Sequence, residues 1–311
     1  MRDEKQDPAS HQTHPAGAVA ATARVLDAPG VAAAAGPEAP LVEIVEAGSR
    51  PVILLCDHAG YVVPDDVGEL GISRVNLMRH IGWDIGAAAV TRALATRLEA
   101  TALFNHVSRL VIDVNRRPRT VTSIPPISDG CVIPNNQHLN KAAVDRRIRD
   151  YFLPYHKAVA RRIAAFRRQG RVPVLIAVHS FTPHLDGEDR PWHVGVLWRG
   201  DRRLAGPALE RLHAEPDLVI GDNQPYSGQR EFGFTVTFHA QRTRLPHIMF
   251  ELRQDEIAEP AGVDRYARLL GDCLEPALAD PALYSIFDGD NLPTTGGIRA
   301  WRHAGHISPL G

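Results

Sequence analysis

The sequence predicts an α/β fold: a mixed, largely parallel sheet covered by helices on both faces. Three observations predict it. Runs such as VILLC (52–56) and VLIAV (174–178) are apolar at every position, as strands buried on both faces must be. Segments with apolar residues at helical spacing alternate with these runs along the chain. The runs also close abruptly on polar residues, Asp57-His58 in one case and His179-Ser180 in the other. In open α/β sheets ligands bind beyond the carboxyl ends of the strands, so both histidines stand where such a fold places its site.

The elements follow in order. PVILLCD (51–57) is the first strand, and NLMRHIGWDIGAAAVTRALATRLEA (76–100) is a long helix with Ile85, Ala89, Leu94 and Leu98 near one face. ATALFNH (100–106) and SRLVIDVNR (108–116) are strand candidates. Residues 140–170 are helical, interrupted at Pro154 and stopped at Gly170. Next come strands in VPVLIAVHS (172–180) and WHVGVLW (192–198), a helix over 202–214 and a strand in DLVIGD (217–222). A strand in LPHIMFELRQD (245–255) and a helix over 262–278 complete the pattern.

Composition bounds the function. Of 311 residues, 44% are apolar and 23% charged, so the chain has the material for a sizeable core. A net charge of -1 leaves no electrostatic footprint for nucleic acid or an anionic membrane. The basic cluster RRIAAFRRQGR (161–171) has helical spacing and reads as a solvated face. No apolar run approaches the ~20 residues of a membrane span. Cys56, Cys131 and Cys273 show neither CxxC spacing nor a disulfide framework, which fits a reducing cytoplasm. Residues 1–40 are rich in Ala, Pro and Gly and read as a disordered extension, residues 41–285 as one α/β catalytic domain, and residues 286–311 as a tail. There is no G-x-S-x-G elbow, P-loop or dinucleotide fingerprint, so a serine hydrolase and a nucleotide enzyme are both unsupported. A small-molecule substrate remains the expected partner, and oligomeric state is unread.

The polar residues at strand ends converge on one chemistry. They are Asp57, His58, Arg109, Asn115, Arg116, His179, Ser180, Asn223, Tyr226, Glu251 and Arg253, with Asp84 on the predicted helix after the first strand. Two histidines and a carboxylate make a set for a catalytic Zn²⁺ that keeps a fourth position open. Glu251 is a carboxylate left over to act as base, and the arginines suit an anionic substrate. Arg109 and Asp113 also read as an ordinary surface ion pair.

The segments HIGWDIGA, SRLVIDVNR, HSFTP, RPWHVGVLW, GDNQPYSG and FELRQD, in that order over roughly residues 50–280, resemble the N-formylglutamate amidohydrolase family. The resemblance implies a fold similar to the zinc carboxypeptidases and aspartoacylases, of phosphorylase/hydrolase-like topology. It implies zinc-dependent hydrolysis of the amide in an N-formyl or N-acyl amino acid, N-formyl-L-glutamate first. Under it His58 and His179 match metal ligands, and Asp84 takes the third position. Position 61 is Tyr rather than the Glu of an HxxE pair, and His80, four residues before Asp84, is the rival third ligand. Glu251 matches the general base, and Arg109 would polarise the scissile carbonyl. Asn115-Arg116 resembles the pair that holds a substrate carboxylate, with Tyr226 and Arg253 as further substrate contacts. Two alternatives stay open: another N-acyl amino acid or small acidic amide as substrate, and a zinc-binding module without turnover.

Overall fold

A computed structural model describes residues 40–228 and 233–289. The predicted N-terminal extension, Pro40 apart, and the predicted tail from residue 290 lie outside the described residues. The described residues form a seven-stranded mixed sheet. Its strands are β1 (Val42–Glu46), β2 (Val52–Cys56), β3 (Thr101–Asn105), β4 (Val174–Phe181), β5 (Val194–Leu197), β6 (Ile220–Asp222) and β7 (His247–Arg253). They lie side by side in the order β1-β3-β2-β4-β7-β5-β6. The central four, β3, β2, β4 and β7, are parallel, while β1 and β5 run antiparallel to their inner neighbours.

Two apolar layers flank the sheet. Alternate side chains of the central strands, among them Leu54, Ile176 and Phe250, pack on α2 (Ala87–Arg97), α5 (Ala205–His213) and α7 (Pro260–Ala279). The intervening ones, among them Leu55, Ala177 and Met249, face α4 (Leu153–Arg168) and α6 (Phe234–His239). Side chains alternate across a strand, and that is why central strands of such a sheet carry no polar face. No helix among the described residues is long and apolar enough to cross a membrane.

Three sequence-based expectations need correction. The helix expected over 76–100 is two pieces, α1 (Arg74–Leu77) and α2, joined by turns over 78–86. Gly86 sits at φ +79°, outside the helical region, so the helix cannot run through it. Asp84 therefore lies in a turn and not on a helix. The second correction is SRLVIDVNR, which forms buried turns rather than a strand. The place beside β3 is taken by β1, which the sequence reading missed, and 108–116 closes on local bonds such as Val111 N–H to Ser108 O at 2.9 Å. The helix over 140–170 is also divided. It consists of α3 (Lys141–Arg147), a π-helical stretch (Ile148–Phe152) and α4, with Pro154 in the first turn of α4, where its missing N–H costs nothing. Its stop at Gly170 is as expected: Gly170 N–H bonds Arg167 O at 2.9 Å and Arg171 N–H bonds Phe166 O at 3.0 Å, a Schellman closure.

Beneath the sheet, α4 and α6 meet at a buried histidine pair. His156 Nε2–H donates to Val114 O at 3.0 Å, so its Nδ1 accepts from His239 Nε2–H, also at 3.0 Å. Burial holds His156 down to about 4 and pulls His239 well below its ordinary value. Both rings are neutral when folded but titrate near 6.5 when unfolded. The unfolded chain thus binds more protons as pH falls below ~6.5, and stability is lost in that direction. In urea melts between pH 7 and 5, His239→Gln should show a shallower loss than the unsubstituted protein, by up to about 1.4 kcal/mol per pH unit. Equal slopes would mean that His239 is not held neutral.

Candidate metal-dependent active site

The carboxyl ends of β2, β4 and β7 bring the candidate residues together. β4 and β7 pair in parallel with His179 opposite Glu251, so the two side chains leave the same face of the sheet. Asp57 and His58 follow directly from β2. Asp84 reaches the group because its backbone N–H bonds His58 O at 3.0 Å, which pins the 78–86 turns to the end of β2.

Three donors converge. Asp84 Oδ2 lies 2.8 Å from His179 Nδ1 and 3.2 Å from His58 Nδ1, and all three side chains are buried. Their ligand atoms fall within 4.8 Å of one another. Each ring's far nitrogen faces another carboxylate. His58 Nε2 donates to Asp113 Oδ1 at 2.8 Å, and His179 Nε2 faces Asp57 Oδ2 at 3.3 Å. Asp57 is held in turn by Tyr155, whose hydroxyl donates to Oδ1 at 2.7 Å. A ring with one nitrogen bonded outward to a carboxylate and the other free to point inward is the arrangement of metal-ligating histidines.

Charge agrees with this geometry. Burial disfavours ionised Asp84, yet His58 and His179 hold it well below the usual carboxylate range. Burial lowers His179, but Asp57 and Asp84 raise it well above its ordinary value. Burial and Arg109 lower His58, and Asp113 and Asp84 outweigh them. Both rings are thus shifted towards their protonated forms beside Asp84. One divalent cation with both rings neutral carries the same charge as both rings protonated, so the cradle fits such an ion in donor type, spacing and charge.

Glu251 stands beside this group, only 7% exposed, and its Oε2 has no hydrogen-bond partner among the described residues. Burial pushes its carboxyl up to about 7. The close packing around it depends on Gly195, its neighbour on β5: a Cβ there would sit 2.1 Å from Gln224 O and 3.3 Å from Glu251 Cβ. His80 is near but set back, its Nδ1 3.9 Å from Asp84 Oδ1, the oxygen that does not face both rings. Burial pushes His80 down to about 4.

The arginines divide. Arg109 is braced by carboxylates, with Nε and Nη2 on Asp113 Oδ2 at 3.2 and 3.0 Å and Nη1 on Asp84 Oδ1 at 3.2 Å. The surface ion pair read from the sequence for Arg109 and Asp113 is corrected: the two do pair, but Asp113 is buried beneath the site rather than on the surface. Arg116 lies close enough to help hold Asp113 ionised. Arg253 is occupied elsewhere, with Nε on Asp255 at 2.9 Å and Nη2 on Glu256 at 2.8 Å. Asn115 is fixed at three atoms: its N–H donates to Asp113 Oδ1 at 2.8 Å, its O accepts from Phe234 N–H at 2.9 Å, and its Oδ1 accepts from Thr235 N–H at 3.0 Å. Its Nδ2 is left 3.5 Å from His179 Nε2. Tyr226 is 36% exposed at the mouth, and its hydroxyl accepts from Arg190 Nη1 at 3.0 Å. Asn223, by contrast, serves its own turn, accepting from Trp198 and Gly228 backbone N–H groups at 3.2 and 3.0 Å.

Sequence reading missed Tyr155 and Arg190. Tyr155 sits in a helix that reads as ordinary amphipathic packing, and Arg190 in a loop that carries no periodicity. Nothing local marks either one.

The sequence matches the model of the N-formylglutamate amidohydrolase family over residues 50–258. Among curated proteins none matches. The crystal structure of gene product Atu2144 from Agrobacterium tumefaciens is similar at 33% identity with a TM-score of 0.72, covering 77% of this chain and 95% of that one. An N-formylglutamate amidohydrolase from Ralstonia eutropha shares the fold at 20% identity with a TM-score of 0.57, covering 76% of this chain and 96% of that one. A fold with this candidate site at its strand ends and a family match over two thirds of the chain lead to one assignment: the chain belongs to the N-formylglutamate amidohydrolase family, hydrolases of amide bonds.

Proposed function

We propose that the protein hydrolyses the amide of an N-formyl or N-acyl amino acid, N-formyl-L-glutamate first, with a zinc ion held by His58, Asp84 and His179. The observation that carries this reading is the convergence of two histidine Nδ1 atoms and one carboxylate oxygen beside a buried Glu251 whose Oε2 has no hydrogen-bond partner among the described residues. Zinc in such a site polarises a carbonyl and lowers the pKa of a water towards ~7.

The chain's own residues supply the rest. Asp113 and Asp57 hold the two rings in the tautomer that turns a lone pair inward. Glu251 takes a proton from the attacking water as its oxygen bonds the formyl carbon. The carbon–nitrogen bond then breaks, and Glu251 returns the proton to the leaving nitrogen, which yields formate and the free amino acid. A carboxyl poised near neutrality suits both transfers. Arg109 keeps an unused N–H on each of Nη1 and Nη2 after bonding its two aspartates, and these can meet the developing oxyanion. Asn115, Arg116 and Tyr226 are assigned to the substrate. Arg253 is better read as a brace for the segment after β7.

The test is turnover by zinc-loaded protein on a panel of N-formyl and N-acetyl amino acids, followed by amine release. Hydrolysis of formyl substrates with acidic side chains is the expected result. Zinc binding with no turnover across the panel would instead favour a binding module.

A further inference from the structure

Just after the short hairpin that pairs His184–Leu185 with Glu188–Asp189 stands an arginine, Arg190, that neither the sequence nor the family match assigns. Arg190 is tied to the strand end by its backbone N–H, which donates to Pro183 O at 2.8 Å. Its guanidinium carbon lies 5.0 Å over the Tyr226 ring and 5.8 Å over the Phe181 ring, while Nη1 bonds the Tyr226 hydroxyl. Phe181 ends the strand that holds His179, and Tyr226 lies close enough to Glu251 and Arg109 for their charges to act on its hydroxyl. Arg190 is thus seated at the mouth of the site. Among the described residues it has no carboxylate partner, and its Nε and Nη2 donors meet no acceptor. The contrast with Arg109 and Arg253 is direct, since each of those is paired to two carboxylates.

We propose that Arg190, held between Phe181 and Tyr226, is a specificity-determining residue that receives a substrate carboxylate remote from the scissile amide. The inference rests on the amidohydrolase reading and adds to it the group that selects the substrate's far end. Two aromatic faces fix the guanidinium before substrate arrives, so little side-chain entropy is lost on binding. Its free donors form the planar fork that a carboxylate meets in bidentate fashion.

The test compares kcat/KM for N-formyl-glutamate with that for its neutral near-isostere N-formyl-glutamine, in the unsubstituted protein and in Arg190→Gln. The ratio should fall about 10- to 100-fold on substitution, the worth of a charge-assisted pair. Arg190→Lys, which keeps the charge and loses the fork, should fall between the two. An unchanged ratio overturns the proposal, whether both rates drop together or neither does. If the unsubstituted protein hydrolyses neither compound, the amidohydrolase reading fails by itself. Calorimetric binding of glutarate to the zinc-loaded protein then decides the seat: binding lost in Arg190→Gln sustains it, and equal binding overturns it.

Discussion

Glu251→Gln should lower kcat by about 10²- to 10⁴-fold while zinc content stays the same. The amide is nearly isosteric with the carboxyl, and Glu251 is not among the three residues that converge on the proposed metal position. Stability gives a second readout. Glu251 is buried, its Oε2 lacks a partner among the described residues, and burial already pushes its carboxyl up to about 7. Such a group is an expensive one to bury, so a neutral amide should leave the melting temperature unchanged or raise it. The combination separates two roles that a rate alone would confuse. A structural carboxylate would lose stability and keep turnover, whereas a base loses turnover and keeps stability. Near-full activity in a zinc-loaded Glu251→Gln protein would remove Glu251 from the chemistry.

The largest effect on metal content should come from His58→Ala, His179→Ala and Asp84→Ala. Each removes one of three converging donors, and each should weaken zinc by more than the 10- to 100-fold typical of an outer partner. Asp57→Asn provides that comparison, because Asp57 meets the three converging residues at the far nitrogen of His179 and is otherwise held by Tyr155. The rival third ligand is settled in the same series. Asp84 Oδ2 faces both rings, whereas His80 Nδ1 stands 3.9 Å behind the other carboxylate oxygen. His80→Ala should therefore keep about one zinc per chain, as read by metal analysis and chelator competition, and Asp84→Ala should not. The reverse outcome would give the position to His80. Zinc should also raise the melting temperature of the unsubstituted protein and leave that of Asp84→Ala where it was, since a ligand stabilises only the state that binds it.

Some of this was legible in the chain alone. VILLC and VLIAV announce strands buried on both faces, because burial on two sides allows no polar position. Their ends announce a site, because polar residues at the close of a buried strand have somewhere to reach. His58, His179 and Glu251 were named as candidates on that ground, and β4 and β7 place two of them in register.

What the chain alone did not carry is which distant residues complete the site. SRLVIDVNR is apolar enough for a strand, yet Asp113 N–H bonds Ser123 O at 2.8 Å and Arg109 N–H bonds Gly82 O at 3.2 Å, so the segment folds under the cradle as turns. Asp84 looked helical until Gly86, at φ +79°, ended the helix short of it. Tyr155 reaches Asp57 across 98 residues of sequence, and Arg190 reaches Tyr226 across 36. Periodicity reports which face of an element is buried, and it is silent on what that face meets. The carboxylates that back the proposed ligands, the tyrosine behind one of them and the arginine beside Tyr226 are decided by contacts between elements, and only the folded chain makes those.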